Sequence, residues 1–156
     1  MTNLEFPNTK EKVEVILIKK ALDGQNLVPV FERSAKNGDK WYVFPGGKYA
    51  EPGNETETVV EGALREVTEE IGIKLSADDL MAVFAETIRH PKTPETLTKF
   101  ILAKCPDGQI PRNVEPAENG TLLFVRPDYA SFLVADRAPQ EVHDYLITIG
   151  QPLMRL

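Results

Sequence analysis

Thr58–Gly72, TVVEGALREVTEEIG, is the stretch whose reading decides the fold. Thr58 has the side chain of a helix N-cap, and Glu61 stands three residues on, where it closes a capping box. Val60, Ala63, Leu64, Val67 and Ile71 recur at spacings of three and four, so they form one buried stripe. Gly72 follows the last of them and supplies the stop expected after a helix C-terminus. Gly62 costs about 1 kcal/mol against alanine inside a helix and predicts close packing of that turn. The same helix puts Glu66, Glu69 and Glu70 on an arc of roughly 100°, away from the face of Val60, Leu64 and Val67. Crowding like charges there is unfavourable by a few tenths of a kcal/mol per pair, roughly, and a hard divalent cation would offset it. A solvated acidic face is the competing reading, because Glu is a good helix former. Arg65 beside Glu66 can fix one carboxylate through its rigid fork of donors.

Working outward, the chain alternates strand and loop signals on both sides of this helix. Lys12–Leu22 is rich in Val and Ile and predicts a first strand. After a turn at Asp23-Gly24, Leu27–Phe31 predicts a second, ending at Glu32-Arg33, with Pro29 counting against a central position. Ser34–Lys40 contains a loop, and Trp41–Phe44 is a short strand stopped by Pro45-Gly46-Gly47. Lys48–Glu57 is polar and predicts a loop. Beyond the helix, Leu80–Arg89 and Leu97–Lys104 predict strands separated by the polar turn His90–Glu95. A loop from Cys105 to Gly120 leads to the strand of Thr121–Pro127. Tyr129–Val134 predicts about one helical turn, and Gln140–Ile149 a C-terminal helix with Val142, Tyr145, Leu146 and Ile149 on one side. Strands flanking a capped helix without a regular βαβ repeat indicate an α/β protein with a mixed sheet and helices on its faces.

The chain of 156 residues fits one domain over 1–156. A hydrophobic fraction of 42% and a charged fraction of 27% match a soluble globular protein. No apolar run approaches a membrane span, and the opening residues MTNLEFPNTKEK lack a secretory signal pattern. Cys105 has no partner for a disulfide and no Cys/His grouping for zinc, so a reducing, cytoplasmic setting is expected. The net charge of −6 argues against long nucleic acid as a partner. It leaves room for a small phosphorylated ligand bridged by cations.

Arg65–Ile73, with Glu57 upstream, resembles the signature of the Nudix hydrolases, G-x5-E-x7-R-E-U-x-E-E-x-G-U with U aliphatic. Glu57, the seven residues after it, and Arg65-Glu66-Val67-Thr68-Glu69-Glu70-Ile71-Gly72-Ile73 fit without a mismatch. The first half departs: nine residues separate Gly47 from Glu57 where the family has five, a four-residue insertion. Glu51-Pro52-Gly53 is similar to the E-P-G common in these loops, but Asn54 stands where the signature glutamate is expected. Placing the insertion after Gly53 keeps the spacing of Glu57 to Arg65 and the capping box intact. Glu57 is therefore favoured as the arginine's structural partner.

The resemblance implies an α/β/α sandwich and metal-dependent hydrolysis of a diphosphate linkage in a nucleoside diphosphate derivative, such as a nucleoside triphosphate or nucleotide sugar. It implies Mg²⁺, with Mn²⁺ as a substitute, held by Glu66, Glu69 and Glu70 with the carbonyl of Gly47. Glu66 and Glu70 are the principal ligands, and Glu69 is a third ligand or orients water. The base is Glu66 or Glu69, or a loop carboxylate such as Glu118, with Glu115 nearby; both loop acids also read as ordinary surface groups. Arg65 belongs to the catalytic group as a positioning contact. Arg33 is a candidate for a substrate phosphate or a solvated strand end. Trp41 and Tyr42 are candidates for stacking on a base or for core packing, and Phe84 reads as core. His90 and His143 stand isolated. A non-catalytic nucleotide-binding module is the alternative, disfavoured by retention of all three glutamates. Substrate choice should lie in Ser34–Lys40, Lys48–Thr56, His90–Glu95 and the C-terminal third, and a homodimer is compatible with the chain.

Overall fold

Alternation along the first strand sets the two faces of the molecule. In the computed structural model, which describes residues 9–90 and 93–150, β1 spans Lys10–Lys20. Its Val13, Val15 and Leu17 point into one core, with Ala63, Val67 and Ile71 of the helix α1, Val59–Ile71. Ile16, one residue out of phase, belongs to a second core on the other face. That core is closed by Ala130 and Val134, at the end of the helix α3 (Pro127–Leu133), and by Val142 and Leu146 of α4 (Gln140–Gly150). The result is a mixed sheet between helical layers, the α/β/α sandwich expected.

The remaining strands are β2 (Asn26–Ser34), β3 (Lys40–Val43), β4 (Gly46–Lys48), β5 (Leu80–Val83), β6 (Ile88–Arg89), β7 (Thr96–Lys104) and β8 (Thr121–Val125). β1 runs parallel to β7 from Lys10↔Thr96 to Ile18↔Lys104, and the other pairings are antiparallel. The order runs β3-β2-β1-β7-β5, with β4 on β1, β6 on β7 and β8 on β2. Among the described residues no helix is long and apolar enough to cross a membrane.

Local chemistry explains α1. Thr58 Oγ1 accepts from Glu61 N at 3.1 Å while Glu61 Oε1 accepts from Thr58 N at 2.9 Å, the reciprocal capping box. Gly72 ends the helix at φ 69°, a left-handed conformation that suits glycine. A side chain at Gly62 would come within 2.5 Å of Tyr49 Cβ, which accounts for its presence in mid-helix.

Four expectations are corrected. Gly46–Lys48 is a strand, because its backbone pairs with Lys12–Glu14 of β1; glycine punctuation hid that role. Leu80–Arg89 is broken into β5 and β6, with a register shift between Leu80 and Ala82 along β7 and with Phe84 turned into the core. The Cys105–Gly120 loop contains a helical turn, α2 (Pro116–Asn119), with proline in its first turn. Pro29 lies inside the sheet after all, in a strand that pairs with β1, β3 and β8, and is itself registered with Phe124 of β8. Part of the His90–Glu95 turn, residues 91 and 92, and the ends of the 1–156 span lie outside the described residues.

Candidate active site

The site is built where α1 lies against β4. Both glycines of β4 are demanded by close approach. A Cβ on Gly46 would sit 1.9 Å from the Val13 carbonyl oxygen, inside the strand pairing itself. A Cβ on Gly47 would sit 2.6 Å from Glu66 Cδ and 2.7 Å from both carboxylate oxygens. The Glu66 carboxylate thus lies over the backbone of Gly47, in space that only glycine leaves open. One helical turn further, Glu70 Oε1 accepts the Gly46 N–H at 2.6 Å.

Arg65 ties the helix to the loop before it. Its Nε and Nη2 donate to the two oxygens of Glu57 at 2.8 and 3.0 Å, a fork-to-fork contact. Nη2 also donates to the Lys48 carbonyl at 3.0 Å, and Nη1 to Glu66 at 2.9 Å and Glu69 at 3.2 Å. Glu57 is nearly buried by this pairing, and the arginine's hydrogen bonds hold its carboxyl below the usual range. The enlarged loop therefore leaves Glu57 in its role, and the Ala50 N–H adds a contact to it at 3.3 Å.

Burial dominates the electrostatics of the two inner carboxylates. Burial raises Glu66, against the lowering effect of Arg65. Glu70 is pushed up to about 7 by burial, with the Glu66 charge adding to the rise and the Gly46 hydrogen bond opposing it. Glu69 differs: its side chain is 53% exposed and engaged with Arg65. Among the described residues, no group of three or more His, Cys, Asp or Glu side chains is drawn together as a ready metal cage. The donor set still fits a hard cation that keeps part of its water shell. Glu66 and Glu70 offer carboxylate oxygens beside a glycine backbone, and burial makes their negative charge costly until a cation shares it.

Cationic groups face this pair. Arg33 Nη2 lies 3.7 Å from Glu70 Oε2, and Arg33 Nε donates to the Asn119 carbonyl at 3.4 Å. Lys12 is pulled below its ordinary pKa by burial, with Glu14, Arg33, Arg137 and Glu70 as its charged neighbours. Trp41 pairs opposite Arg33 across β2 and β3 and packs half-buried against the α1-side core. Tyr42 donates to Glu32 at 3.0 Å and packs on the opposite core. Glu118 is exposed on α2, one residue from Asn119, whose amide donates to the Glu70 carbonyl at 3.5 Å.

Sequence reasoning missed a buried ion pair near this site. Glu14 and Arg137 are 2% and 7% exposed, and Arg137 Nη2 meets Glu14 Oε2 at 2.5 Å. The signal for Glu14 was a lone charge inside the apolar run Val13–Ile18. Arg137, in the segment between α3 and α4, carried none.

The profile of the NUDIX domain matches residues 10–145. No curated protein sequence matches the chain. Among solved structures, an Ap4A hydrolase of C. elegans in a binary complex is 18% identical at a TM-score of 0.63, over 89% of this chain and 93% of that one. RenU, a Nudix hydrolase of M. smegmatis, is 18% identical at 0.61, over 94% and 90%. A MutT Nudix hydrolase of Burkholderia pseudomallei is 26% identical at 0.52, over 77% and 84%.

Proposed function

The chain belongs to the Nudix family, and we propose that it hydrolyses a diphosphate linkage in a small nucleoside diphosphate derivative, using Mg²⁺ or Mn²⁺. The observation that carries this reading is the convergence of Glu66 and Glu70 on the Gly46-Gly47 backbone, with Glu70 pushed up to about 7. Two carboxylates kept in a place that penalises their charge are a costly arrangement for stability alone. The cost is understandable where a cation and a phosphate complete the site.

Glu66 and Glu70 are assigned as the principal cation ligands, with Glu69 and the Gly47 carbonyl completing the set. When bound, the divalent ion neutralises charge on the diphosphate and acidifies the attacking water. Arg33, beside Glu70, binds a phosphate oxygen of the substrate. Arg65 holds Glu66 and Glu69 in orientation. Glu69, half exposed, orients the water and accepts its proton; Glu118, on the neighbouring turn, is the rival for that role. Water oxygen attacks one phosphorus in line, the bond to the bridging oxygen breaks, and the bridging oxygen leaves on the second phosphorylated product. Trp41 sits across from Arg33, where a base could stack against its ring. One of the similar structures is named for action on Ap4A; at 18% identity that likeness concerns the fold, so the substrate is proposed only to the level of a nucleoside phosphoanhydride.

The test is a panel of nucleoside triphosphates, dinucleoside polyphosphates, nucleotide sugars and ADP-ribose with Mg²⁺ and with Mn²⁺. Divalent-dependent release of a phosphomonoester, lost in Glu70→Gln, is expected. No turnover on any member, together with no Mn²⁺ binding by calorimetry, would leave a non-catalytic nucleotide-binding module as the reading.

A further inference from the structure

Glu14 lies on the face of β1 opposite α1, yet its contacts lead back to the site. Oε1 accepts the Phe44 N–H at 2.9 Å. Phe44 immediately precedes Pro45-Gly46-Gly47, and the Pro45 carbonyl accepts from Val15 N at 2.7 Å. The next residue, Gly46, gives its N–H to Glu70, and Gly47 lies beneath Glu66. The turn that carries both carboxylate contacts is thus fastened just upstream by one buried side chain.

Arg137 fastens that side chain in turn. Its Nη2 meets Glu14 Oε2 at 2.5 Å, its Nη1 meets Glu14 Oε1 at 3.4 Å, and Nη1 donates to the Tyr42 carbonyl at 2.8 Å. One guanidinium therefore grips β1 and β3 at once. A buried pair of this kind is a poor device for stability, since apolar residues of similar volume commonly do as well. Its Nε is buried without a hydrogen-bond partner among the described residues, a further cost. Placement against the Phe44 amide gives the pair a use that an apolar substitute would not supply.

We infer that Glu14, held by Arg137, is a positioning residue for the Pro45-Gly46-Gly47 turn and through it for the cation-binding carboxylates. The inference rests on the proposed function, because it assigns the pair a task toward the same cation. It also gives the segment between α3 and α4 a part in the chemistry, although Arg137 touches neither Glu66 nor Glu70 in any contact described above.

Two double variants separate positioning from general packing. Glu14→Gln/Arg137→Met removes both charges and keeps an acceptor for the Phe44 N–H. Glu14→Leu/Arg137→Met removes the acceptor as well. Mn²⁺ affinity is read by electron paramagnetic resonance of the free ion without substrate, turnover on the substrate found by the panel, and folding by thermal melts. The Gln variant, which keeps the acceptor but loses the guanidinium's grip, should fall measurably below wild type in both functional readouts and stay above the Leu variant. The Leu variant, at a matched melting temperature, should lose about 10- to 100-fold in Mn²⁺ affinity or kcat, the usual range for groups behind metal ligands. Equal Mn²⁺ affinity and kcat in the two variants would overturn the inference. Should the Leu variant not fold, Arg137→Lys takes its place: it keeps the charge and loses the two-strand grip, and unchanged Mn²⁺ affinity and kcat there would equally overturn it. Wild-type protein that binds no Mn²⁺ would overturn the functional reading and this inference together, a result distinct from variants that merely match a binding wild type.

Discussion

Replacing Glu70 by Gln should stabilise the cation-free protein at alkaline pH while abolishing turnover. A carboxyl raised from its ordinary 4.5 to about 7 is still protonated in the folded chain over a range where the unfolded chain has ionised. The folded state then binds more protons than the unfolded state, so stability falls as pH rises between those two values and the full penalty is present above 7. The interval corresponds to about 3 kcal/mol, to order of magnitude, for a side chain only 13% exposed. Gln keeps an oxygen for the Gly46 N–H and carries no charge. It also turns an amide NH₂ toward Arg33, which should return about 1 kcal/mol of the gain. The net expectation is about 2 kcal/mol at pH 8, or roughly 4–8 °C in melting temperature for a chain of this size. At pH 4.5 wild type and variant should melt nearly together. The assay is a pair of thermal melts in EDTA at each pH, followed by turnover with Mg²⁺. A Gln variant that melts lower than wild type at pH 8, or a gap of equal size at both pH values, would refute the claim that burial of this charge is costly.

Gly47→Ala should cut kcat by about 10- to 100-fold, because the new methyl must push the Glu66 carboxylate off its place; wild-type kcat with an intact fold would contradict the contact. Arg65→Ala should lower stability by about 2 kcal/mol through the loss of charged hydrogen bonds to Glu57, Glu66 and Glu69, with activity falling alongside. A melting temperature within 1 °C or so of wild type would show those contacts to be slack. Thr58→Ala should cost about 1 kcal/mol from the lost cap and leave the metal dependence of the rate unchanged. Urea unfolding measures the first part and steady-state kinetics at varied Mg²⁺ the second.

What was legible in the sequence followed the range of the interactions. Thr58, Glu61 and Gly72 act within one helical turn, so their residue types reveal their geometry directly. Both caps occur where spacing places them. The pairing of Glu57 with Arg65 was legible only through the resemblance to the Nudix signature, which the insertion leaves intact from Glu57 onward. β4 was hidden because Gly46-Gly47 has the composition of a turn, and only the partner strand β1 makes it a strand. The break between β5 and β6 is likewise imposed by pairing to β7 and by burial of Phe84, not by any breaker residue. Arg33 and Glu70 come together from distant elements, and nothing in either neighbourhood announces the other. The Glu14–Arg137 pair is the extreme case, since its cause lies in tertiary burial alone.

The parallel pairing of β1 with β7 bears on how the chain reaches this state. Lys10 must meet Thr96, and Ile18 must meet Lys104, before the central ladder exists. Loop closure over such a span is entropically slow, whereas α1 carries its own start and stop signals and can form early. Collapse should therefore begin around α1 and the β1–β2 hairpin, with β7 arriving late and completing the scaffold on which the carboxylates depend.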